Sequence, residues 1–537
     1  MKGTSESTGL HHWMLRVLRE CDNVAADFSA DPVHDLRVSL RRCRSLADGM
    51  MAMDPDRNWK AMKKAGKKLF QSLGALRDVQ IMMEWIEKLN LPGARSPLTP
   101  VSQGTPPDLS PAEPMPVEDP RAMLLRILDG REIEQKHIAR AALDEFDRKQ
   151  WRHWAKTLPA RAMRIRPGSA VFKHLALERW TTARQLHVRA LRNRSQVAFH
   201  ELRIGIKRFR YIVENFLPAE HKLWSDDLKH MQDLLGEVHD LDVLWATALS
   251  CHIFPDEVVR EAWHSEIIEE RDKRINEYRA RTTGPESLWN VWRTGLPQGK
   301  QIQQVAIRRM KLWAKALDPD FTHSERVARL ALELYDKLLG GGLLGSISIN
   351  STGADARASL YAAALFHDVG KSKGNKGHYK QSSALINRQG APLGWKPEDL
   401  TRAALVARFH CGTLPTRRHR ELRGLLPEQQ RTIIRLAAIL RLANAMDAEH
   451  NGRVRRLRIE NLPAQTKQRS NGFLPKLALP KNEALIIAAE GYVEGSATAR
   501  AVAAERYLLE TVLRRPVIVK ATPAFRHPAS QMRLHPR

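Results

Sequence analysis

The sequence predicts a mainly α-helical protein, in which a helical bundle built from two similar halves precedes a second helical region with a small β element. Two observations predict this arrangement. Apolar residues recur at helical spacing, and one basic segment occurs twice, as VHDLRVSLRRCRSL from Val33 and as FHELRIGIKRFRYI from Phe199. Short apolar runs near the C-terminus, ALIIAA and PVIVKA, predict the β element.

The composition indicates a polyanionic partner. The chain has 537 residues and a formal net charge of +27, and such a charge attracts nucleic acid, anionic surfaces or polyphosphate. Its four cysteines have no paired spacing, which excludes a zinc ribbon or a disulfide framework and favours a reducing cytoplasm. Neither a signal peptide nor a membrane-spanning run is present, so we expect a soluble cytoplasmic protein without a membrane partner.

Two breaks divide the chain. Residues 91–120 contain nine prolines with Ser, Thr and Gly, a composition typical of a flexible, partly extended insertion. The second break, LPQGKQ, separates basic helical patterns from a histidine-rich region. We therefore predict one domain at 1–296, which includes the insertion, a second at 301–521, and a tail at 522–537.

The repeat in the first domain extends beyond the basic segment. LGALRDVQ at Leu73 matches LGEVHDLD at Leu235, in the same order and at similar spacing after each basic segment. At 100° per residue, each basic segment forms an apolar stripe beside a cationic stripe. The predicted core stripes are Val33, Leu36, Leu40, Cys43 and Ala47 in the first copy, and Phe199, Leu202, Ile206, Phe209 and Val213 in the second.

The cationic stripes and the segment WKAMKKAGKKLF predict a basic channel if they face inward. A linear polyanion would neutralise such a channel, and counterion release would make binding depend on salt. The charged faces have no interleaved aromatic residues or Asn/Gln clusters for reading bases, which favours inorganic polyphosphate over nucleic acid. The candidate binding residues are His34, Arg37, Arg41, Arg44, Lys60, Lys63, Lys67, His200, Arg203, Lys207 and Arg210.

This doubled motif resembles the CHAD domain, an α-helical domain that binds polyphosphate. The resemblance covers approximately residues 10–295 and rests on the H-[DE]-L-R-x-x-x-[RK]-R-x-R pattern present in both copies. It implies a two-fold helical bundle with a basic central pore. The proline-rich insertion and Cys43, which stands at an aliphatic position, depart from the pattern but leave the cationic stripe intact.

The second region concentrates histidines near SLYAAALFHDVGK, where an apolar helix ends in His367 and Asp368. His323 lies at the start of an earlier helix, and His378 and His410 follow later in the chain. Imidazoles and a carboxylate gathered from several helices suit a divalent metal. Such a metal could activate water against a phosphoryl group.

This region resembles the HD phosphohydrolase superfamily, and in particular the HD-like module at the C-terminus of Ppx/GppA exopolyphosphatases. The resemblance covers approximately residues 301–521 and implies metal ligands at His323, His367 and Asp368, with Mn²⁺ or Mg²⁺ as the cofactor. At the fourth ligand position the family has Asp, whereas this chain has Asn444. Asp447, close to the same helical face, is the alternative ligand.

Two main functions remain open at this stage. The chain is either a polyphosphate-binding protein with a degenerate HD-type module, or a metal-dependent phosphohydrolase acting on polyphosphate or phosphorylated nucleotides. In the second case Lys371 and His410 would contact phosphoryl oxygens. Asn444, a neutral and weaker ligand, favours the first. Nonspecific binding of nucleic acid is a third alternative.

Overall fold

The computed structural model describes residues 9–92, 118–344, 353–460 and 483–522, with side chains in the third range from residue 356. The chain forms two compact units, residues 1–305 and 306–537. The described residues are mainly helical, as the sequence predicts. Residues 93–117, most of the predicted proline-rich insertion, lie outside the described ranges. Within those ranges, every helix is too short or too polar to cross a bilayer.

The first unit is built from helices, several of which begin at a side-chain cap. Asp56, Asp119, Asp147, Ser195 and Asp256 each accept a backbone N–H from the first turn of the helix that follows. The helices are α1 (Leu10–Ala26), α2 (Ala30–Met51), α3 (Arg57–Ala65), α4 (Lys67–Lys88), α5 (Pro120–Asp144), α6 (Arg148–Ala162), α7 (Ala170–Asn193), α8 (Gln196–Phe216), α9 (Pro218–Ser250), α10 (Glu257–Thr282) and α11 (Leu288–Thr294), followed by α12 (Lys300–Leu317).

The helix packing repeats between the two halves of this unit. Helix α1 packs on α2 as α7 packs on α8, and α4 packs on α5 as α9 packs on α10. The halves meet where α2 contacts α8 and where α4 contacts α9. The two basic segments, which lie on α2 and α8, are therefore neighbours in space although they are far apart in the chain. This confirms the prediction of two similar helical halves.

The predicted core stripes of α2 and α8 are buried. All ten side chains are at most 2% exposed, which confirms the helical register deduced from the sequence. Cys43, at an aliphatic position, is fully buried and packs as a small apolar residue. The cations of the neighbouring stripes, such as Arg37, Arg203 and Lys207, are half-buried.

Polar contacts join the two halves beside these stripes. Arg41 Nη1 donates to Tyr211 Oη at 3.2 Å, and Asn215 Nδ2 donates to Ser45 Oγ at 2.7 Å. Gly49 provides space in the same contact, since a Cβ there would lie 2.2 Å from the ring of Phe216. The interface between the halves is therefore specific, with hydrogen bonds and one close backbone approach.

The second unit has a helical core and a small sheet. Its helices are α13 (Phe321–Gly340), α14 (Gly353–Phe366), α15 (His378–Gln389), α16 (Pro397–Arg408), α17 (Pro427–Ala445), α18 (Ala497–Glu505) and α19 (Tyr507–Leu513), with short 3₁₀ helices at Val369–Lys373 and Arg420–Leu422. Side chains of α13, α14, α16 and α17 form most of the core.

The sheet contains both strands predicted from the apolar runs. β1 (Leu457–Ile459) pairs antiparallel with β2 (Leu485–Glu490), and β2 pairs in parallel with β3 (Val517–Thr522). Leu485 lies opposite Val517 in the parallel pair, and both side chains are fully buried.

Candidate functional site

Four cationic side chains from the two halves of the first unit interact with one another. Arg37 and Arg41 come from α2, and Arg203 and Lys207 come from α8; together they form the cationic cluster. Burial, and then the charges of Arg203 and Arg41, lower the pKa of Lys207 to about 7. Burial likewise lowers the pKa of Arg37 to about 10. These shifts show positive charge concentrated where water is partly excluded.

Two carboxylates accompany the cluster. Asp78 lies on α4 and Asp240 on α9, at equivalent places in the repeated LGALRDVQ and LGEVHDLD segments. Burial, opposed by the charge of Arg203 and assisted by that of Asp78, raises the pKa of Asp240 to about 6. Two carboxylates beside four cations leave an excess of positive charge.

Some donors of the cluster have no protein partner. Arg37 Nη1 and Arg203 Nε are buried, and within the described residues neither makes a hydrogen bond. The guanidinium of Arg37 lies over the ring of Phe70, 5.5 Å from its centroid. Gly74 leaves room for this arrangement, because a Cβ there would be 2.9 Å from Arg37 Nη1. Buried guanidinium donors without partners fit an anionic ligand.

Histidines lie beside the cluster. The Nδ1 atoms of His200 and His239 are 3.3 Å apart. Burial, followed by the charge of Arg203, lowers the pKa of His239 to about 4, so its imidazole is neutral at pH 7. Burial and the charge of Arg41 also lower the pKa of His34. His239 therefore contributes an uncharged polar surface beside the cations of the cluster.

The other predicted binding residues have different surroundings. Arg44 donates to the Lys63 carbonyl at 2.9 Å and lies over the ring of Phe70. The Lys63 ammonium pairs with Asp48. Arg210 lies 3.9 Å from Glu214. These contacts tie part of the predicted stripe to protein partners. Two further predicted residues, Lys60 and Lys67, are exposed at the surface.

The second unit contains a pocket of about 270 Å³ lined by imidazoles, which we name the histidine pocket. The lining residues that carry its chemistry are His323, Asp368, His378, His410, Cys411 and Asn444. They come from α13, from the turn after α14, from the start of α15, from the turn after α16 and from α17. The fold therefore gathers residues that are far apart in the sequence.

His367 follows the last residue of α14 and is fully buried. Its Nδ1 donates to the Ala364 carbonyl at 2.7 Å, which leaves the lone pair on Nε2. Nε2 is 3.4 Å from Asp368 Oδ2 and makes no hydrogen bond within the described residues. A fully buried nitrogen acceptor aimed at a carboxylate is poorly satisfied by protein alone.

The same arrangement occurs at three other histidines. In each, Nδ1 donates to an oxygen, so a neutral ring at His378 or His410 has its lone pair on Nε2. The Nε2 atoms of His378 and His410 lie 3.1 Å apart, although both are acceptors in this tautomer. Histidines that bind a metal through one ring nitrogen typically donate the N–H of the other to an oxygen in this way. The oxygen acceptors are Asp447 Oδ2 at 2.8 Å for His323, Asn375 O at 2.9 Å for His378 and Ala407 O at 2.7 Å for His410.

The carboxylate of Asp368 lies beside the Nε2 atoms of His367, His378 and His410. Its Oδ1 is 3.3 Å from His378 Nε2 and 3.8 Å from His410 Nε2, and its Oδ2 pairs with Lys371 Nζ at 2.6 Å. Burial alone would raise the pKa of Asp368, but His367, His410 and Lys371 hold it well below its usual range. The carboxylate is therefore ionised at neutral pH and can serve as an anionic ligand.

Asn444 and Asp447 contact opposite nitrogens of His323. Asn444 Oδ1 is 3.0 Å from Nε2, on the side of the pocket, whereas Asp447 Oδ2 accepts from Nδ1. Asp447 also accepts from Arg326 Nε at 2.8 Å and from the Gly452 N–H at 2.9 Å. The geometry gives Asp447 the role of orienting His323, whereas the sequence analysis proposed it as a ligand.

Comparison with protein-family models matches both units. The CHAD domain model matches residues 13–249, and the model for the Ppx/GppA phosphatase, domain III, matches residues 305–483. The chain carries a CHAD domain followed by a Ppx/GppA domain III. The resemblances to the CHAD domain and to the C-terminal module of Ppx/GppA exopolyphosphatases are thereby confirmed, and both families fit a polyphosphate-related function. No curated protein gave a significant match.

The turn that carries the HD motif of domain III depends on Gly370. A Cβ at this position would lie 2.1 Å from the His378 carbonyl and 2.6 Å from the Ser382 amide. Ser382 Oγ accepts the Gly370 N–H at 2.8 Å and donates to the His367 carbonyl at 2.6 Å. Glycine is therefore required by close packing of the turn against α15, which fixes His367 relative to His378.

Several residues around the histidine pocket were missed by the sequence analysis. The ring of His450 stacks on that of His323, with centroids 3.8 Å apart, and Cys411 and Glu505 line the pocket. Arg441 is buried and donates to Glu505 and to the carbonyls of Phe409 and Gly412. The sequence signal that could have indicated Arg441 was an arginine flanked on both sides by apolar residues in RLAAILRLANA.

Proposed function

We propose that the CHAD domain binds inorganic polyphosphate through the cationic cluster. The observation that carries this proposal is the convergence of four cations from two repeats, two of them with buried donors lacking a protein partner. Two carboxylates offset only part of the charge. A chain of phosphates supplies many anionic oxygens at short intervals, so it would satisfy donors of both halves at once.

The surroundings of the cluster favour polyphosphate over nucleic acid. Phe70, an aromatic ring beside it, lies under the guanidinium groups of Arg37 and Arg44, and the Tyr211 hydroxyl is bonded to Arg41, so both rings already interact with cations of the protein. The cluster offers charged donors aimed at phosphate and no amide side chain for reading a base edge. Phosphate recognition without base recognition is what a polymer of phosphate alone requires.

A charge-matched pair of variants tests this proposal. Replacing Arg37, Arg41, Arg203 and Lys207 with alanine removes the cluster, and we expect polyphosphate affinity to fall by more than about 100-fold, since each charge-assisted hydrogen bond contributes roughly 1.5–3 kcal/mol. The control replaces four exposed cations outside the cluster, Arg152, Lys156, Lys222 and Lys229. Equal loss in both variants would mean that only net charge matters.

Competition separates polyphosphate from nucleic acid. Labelled polyphosphate bound to the intact chain is challenged with unlabelled polyphosphate or with long RNA at equal phosphate concentration and near-physiological salt. We expect RNA to compete at least about tenfold less effectively, because its phosphates are spaced by sugars and shielded by bases. Equal competition would support a nonspecific nucleic-acid binder and overturn the proposal.

A second function is favoured by the tautomers of the histidine pocket. We infer that domain III holds a divalent metal through His323, His367 and Asp368. His367 presents the lone pair of its Nε2, and Asp368 supplies negative charge. A bound Mn²⁺ or Mg²⁺ would polarise a phosphoryl oxygen and lower the pKa of bound water.

The residues of the pocket assign further roles in such a phosphohydrolase. Lys371 would position a phosphoryl oxygen by charge, since its ammonium already reaches the pocket carboxylate. His410, which the sequence predicts to contact phosphoryl oxygens, presents a lone pair on Nε2 and would instead bind a cation. Asp447 and Arg326 would hold His323 in the ligand tautomer. The CHAD domain would then bind the polyanion from which a substrate phosphate is drawn.

Metal retention tests this second proposal. After incubation with Mn²⁺ and desalting, we expect about one or two equivalents per chain, as in sites with one or two catalytic ions. His367→Ala removes a buried ligand and should abolish retention, whereas His153→Ala, at an exposed histidine of α6, should not. The loaded protein is then assayed for phosphate release from polyphosphate. Absence of retained metal would leave a polyphosphate-binding protein with a degenerate HD-type module.

A further inference from the structure

Cys411 lies beside two of the pocket histidines. Its Sγ is 3.8 Å from His378 Nε2, and the ligand atoms of His378, His410 and Cys411 all lie within 4.8 Å of one another. The ligand atoms of His323, His367 and Asp368 form a second group of the same compactness. The histidine pocket therefore contains two adjacent donor groups, and only one of them, among the described residues, includes sulfur.

The spacing within the sulfur-containing group suits a single small ion. A tetrahedral ion with metal–nitrogen bonds of about 2.0–2.1 Å places two nitrogens about 3.3 Å apart, and a metal–sulfur bond of about 2.3 Å places sulfur about 3.6 Å from nitrogen. The observed separations are 3.1 Å between the histidine Nε2 atoms and 3.8 Å from Cys411 Sγ to His378 Nε2. The side chains are thus close to ligand spacing already.

The backbone around Cys411 is held in place from α17. Arg441 Nη1 donates to the Phe409 carbonyl and Nη2 to the Gly412 carbonyl, each at 3.0 Å, so one guanidinium fixes the chain on both sides of His410 and Cys411. Gly412 has φ of +72°, a left-handed conformation that glycine adopts without strain. Because the backbone on both sides of Cys411 is held, its thiol has a fixed position, as a metal ligand requires.

We propose that His378, His410 and Cys411 form a second, thiophilic metal subsite that takes Zn²⁺ in preference to Mg²⁺ or Mn²⁺. The inference deepens the metal-binding function proposed for domain III and rests on it. Thiolate and imidazole ligands select zinc, whereas carboxylate and water suit magnesium and manganese. Asp368, whose Oδ1 faces His378 and His410 while its Oδ2 faces His367, lies between the two donor groups.

Cobalt absorption distinguishes this subsite from the pocket as a whole. The metal-free full-length chain is titrated with Co²⁺. Visible d–d bands report coordinated cobalt, and a near-ultraviolet band reports charge transfer from a thiolate. We expect the natural protein to show both kinds of band. The Cys411→Ser variant should keep the visible bands and lose the thiolate band. Cys251→Ser, at a half-buried cysteine of the CHAD domain, is the matched control and should keep both.

The outcomes separate the inference from the function on which it rests. Visible bands without a thiolate band, or a thiolate band that survives Cys411→Ser, would overturn the subsite alone. Absence of both bands in the natural protein would overturn the metal-binding function of domain III as well.

A measurement on the unmutated chain removes dependence on the folding of the variant. Alkylation of Cys411 and Cys251 is followed by peptide mass spectrometry at neutral pH with no metal, with Zn²⁺ or with Mg²⁺. We expect one equivalent of Zn²⁺ to slow alkylation of Cys411 at least about tenfold, because a metal-bound thiolate is shielded. Cys251 should be unaffected, and equal protection by Mg²⁺ would overturn the selectivity.

Discussion

The cationic cluster of the CHAD domain and the histidine pocket of domain III both concentrate polar side chains from several helices, but with opposite electrostatics. In the cluster, like charges and burial lower the pKa of Lys207, and donors are left without partners. In the pocket, the Nδ1–H groups of the imidazoles already donate to oxygens, and the Nε2 atoms of His367, His378 and His410 lie beside the ionised Asp368. The first arrangement offers charge to an anion, whereas the second offers lone pairs to a cation.

The largest expected effect comes from a substitution that disrupts the histidine pocket and leaves the cationic cluster unchanged. Gly370→Ala places a Cβ against the His378 carbonyl, and we expect domain III to lose about 3 kcal/mol of its free energy of unfolding and its metal retention. Thermal unfolding and metal analysis measure both, and polyphosphate affinity should change less than about twofold. Gly424→Ala is the control, since a Cβ there meets no atom within 4 Å. An unchanged unfolding temperature for Gly370→Ala would contradict the packing argument.

Salt separates the two regions next. If at least four cations of the cluster contact phosphate, raising salt from about 50 to about 200 mM should weaken polyphosphate binding roughly 50-fold, from a slope of about 0.7 per contact. Metal retention in the pocket should change less than about twofold, because its ligands are buried and screened little. Isothermal titration at several salt concentrations measures both. A flat salt dependence for polyphosphate would show that the cluster is not its site.

The pH dependence sharpens the role of Lys207. With a pKa of about 7, the Lys207 side chain is half protonated at neutral pH in the absence of ligand, and a bound polyanion favours the protonated, charged form. Affinity should therefore fall as pH rises above 7, by roughly 15-fold between about pH 7 and pH 8.5, through this one group. Lys207→Arg keeps its charge over this range and should remove most of the fall. An identical pH profile in both proteins would exclude Lys207 from the binding surface.

The smallest expected effect concerns the support of the pocket. Arg441→Met removes three hydrogen bonds around His410 and Cys411 while keeping a long side chain, and we expect metal affinity to fall about tenfold, as for other outer-shell partners. Equilibrium dialysis against Mn²⁺ measures the change. Arg435→Met, on the same helix, serves as the control. Equal affinities in the two variants would show that Arg441 only stabilises the fold.

Prediction from the sequence succeeded where a local period or a repeat carried the information. The apolar stripe of α2 and the strand β2 follow from residue spacing alone, and the repeat indicated that Arg37 and Arg203 have equivalent places. The sequence did not distinguish Arg44, which bonds to the Lys63 carbonyl, from the cations of the cluster. Arg44 lies on the same face of α2 as Arg37 and Arg41. The difference between them depends on which element packs next to each side chain.

The pocket shows the same division more strongly. The sequence alone determined a basic, mainly helical chain with a doubled cationic motif, and a second region with an HD motif and Asn444 at its fourth ligand position. Only the tertiary structure decided that His367, His378 and His410 bring Nε2 close to Asp368, that Asn444 and Asp447 contact opposite nitrogens of His323, and that Cys411 Sγ lies 3.8 Å from His378 Nε2. The physical reason is that tautomers and ligand spacing depend on oxygen acceptors and backbone turns brought together by packing, and no local periodicity records them.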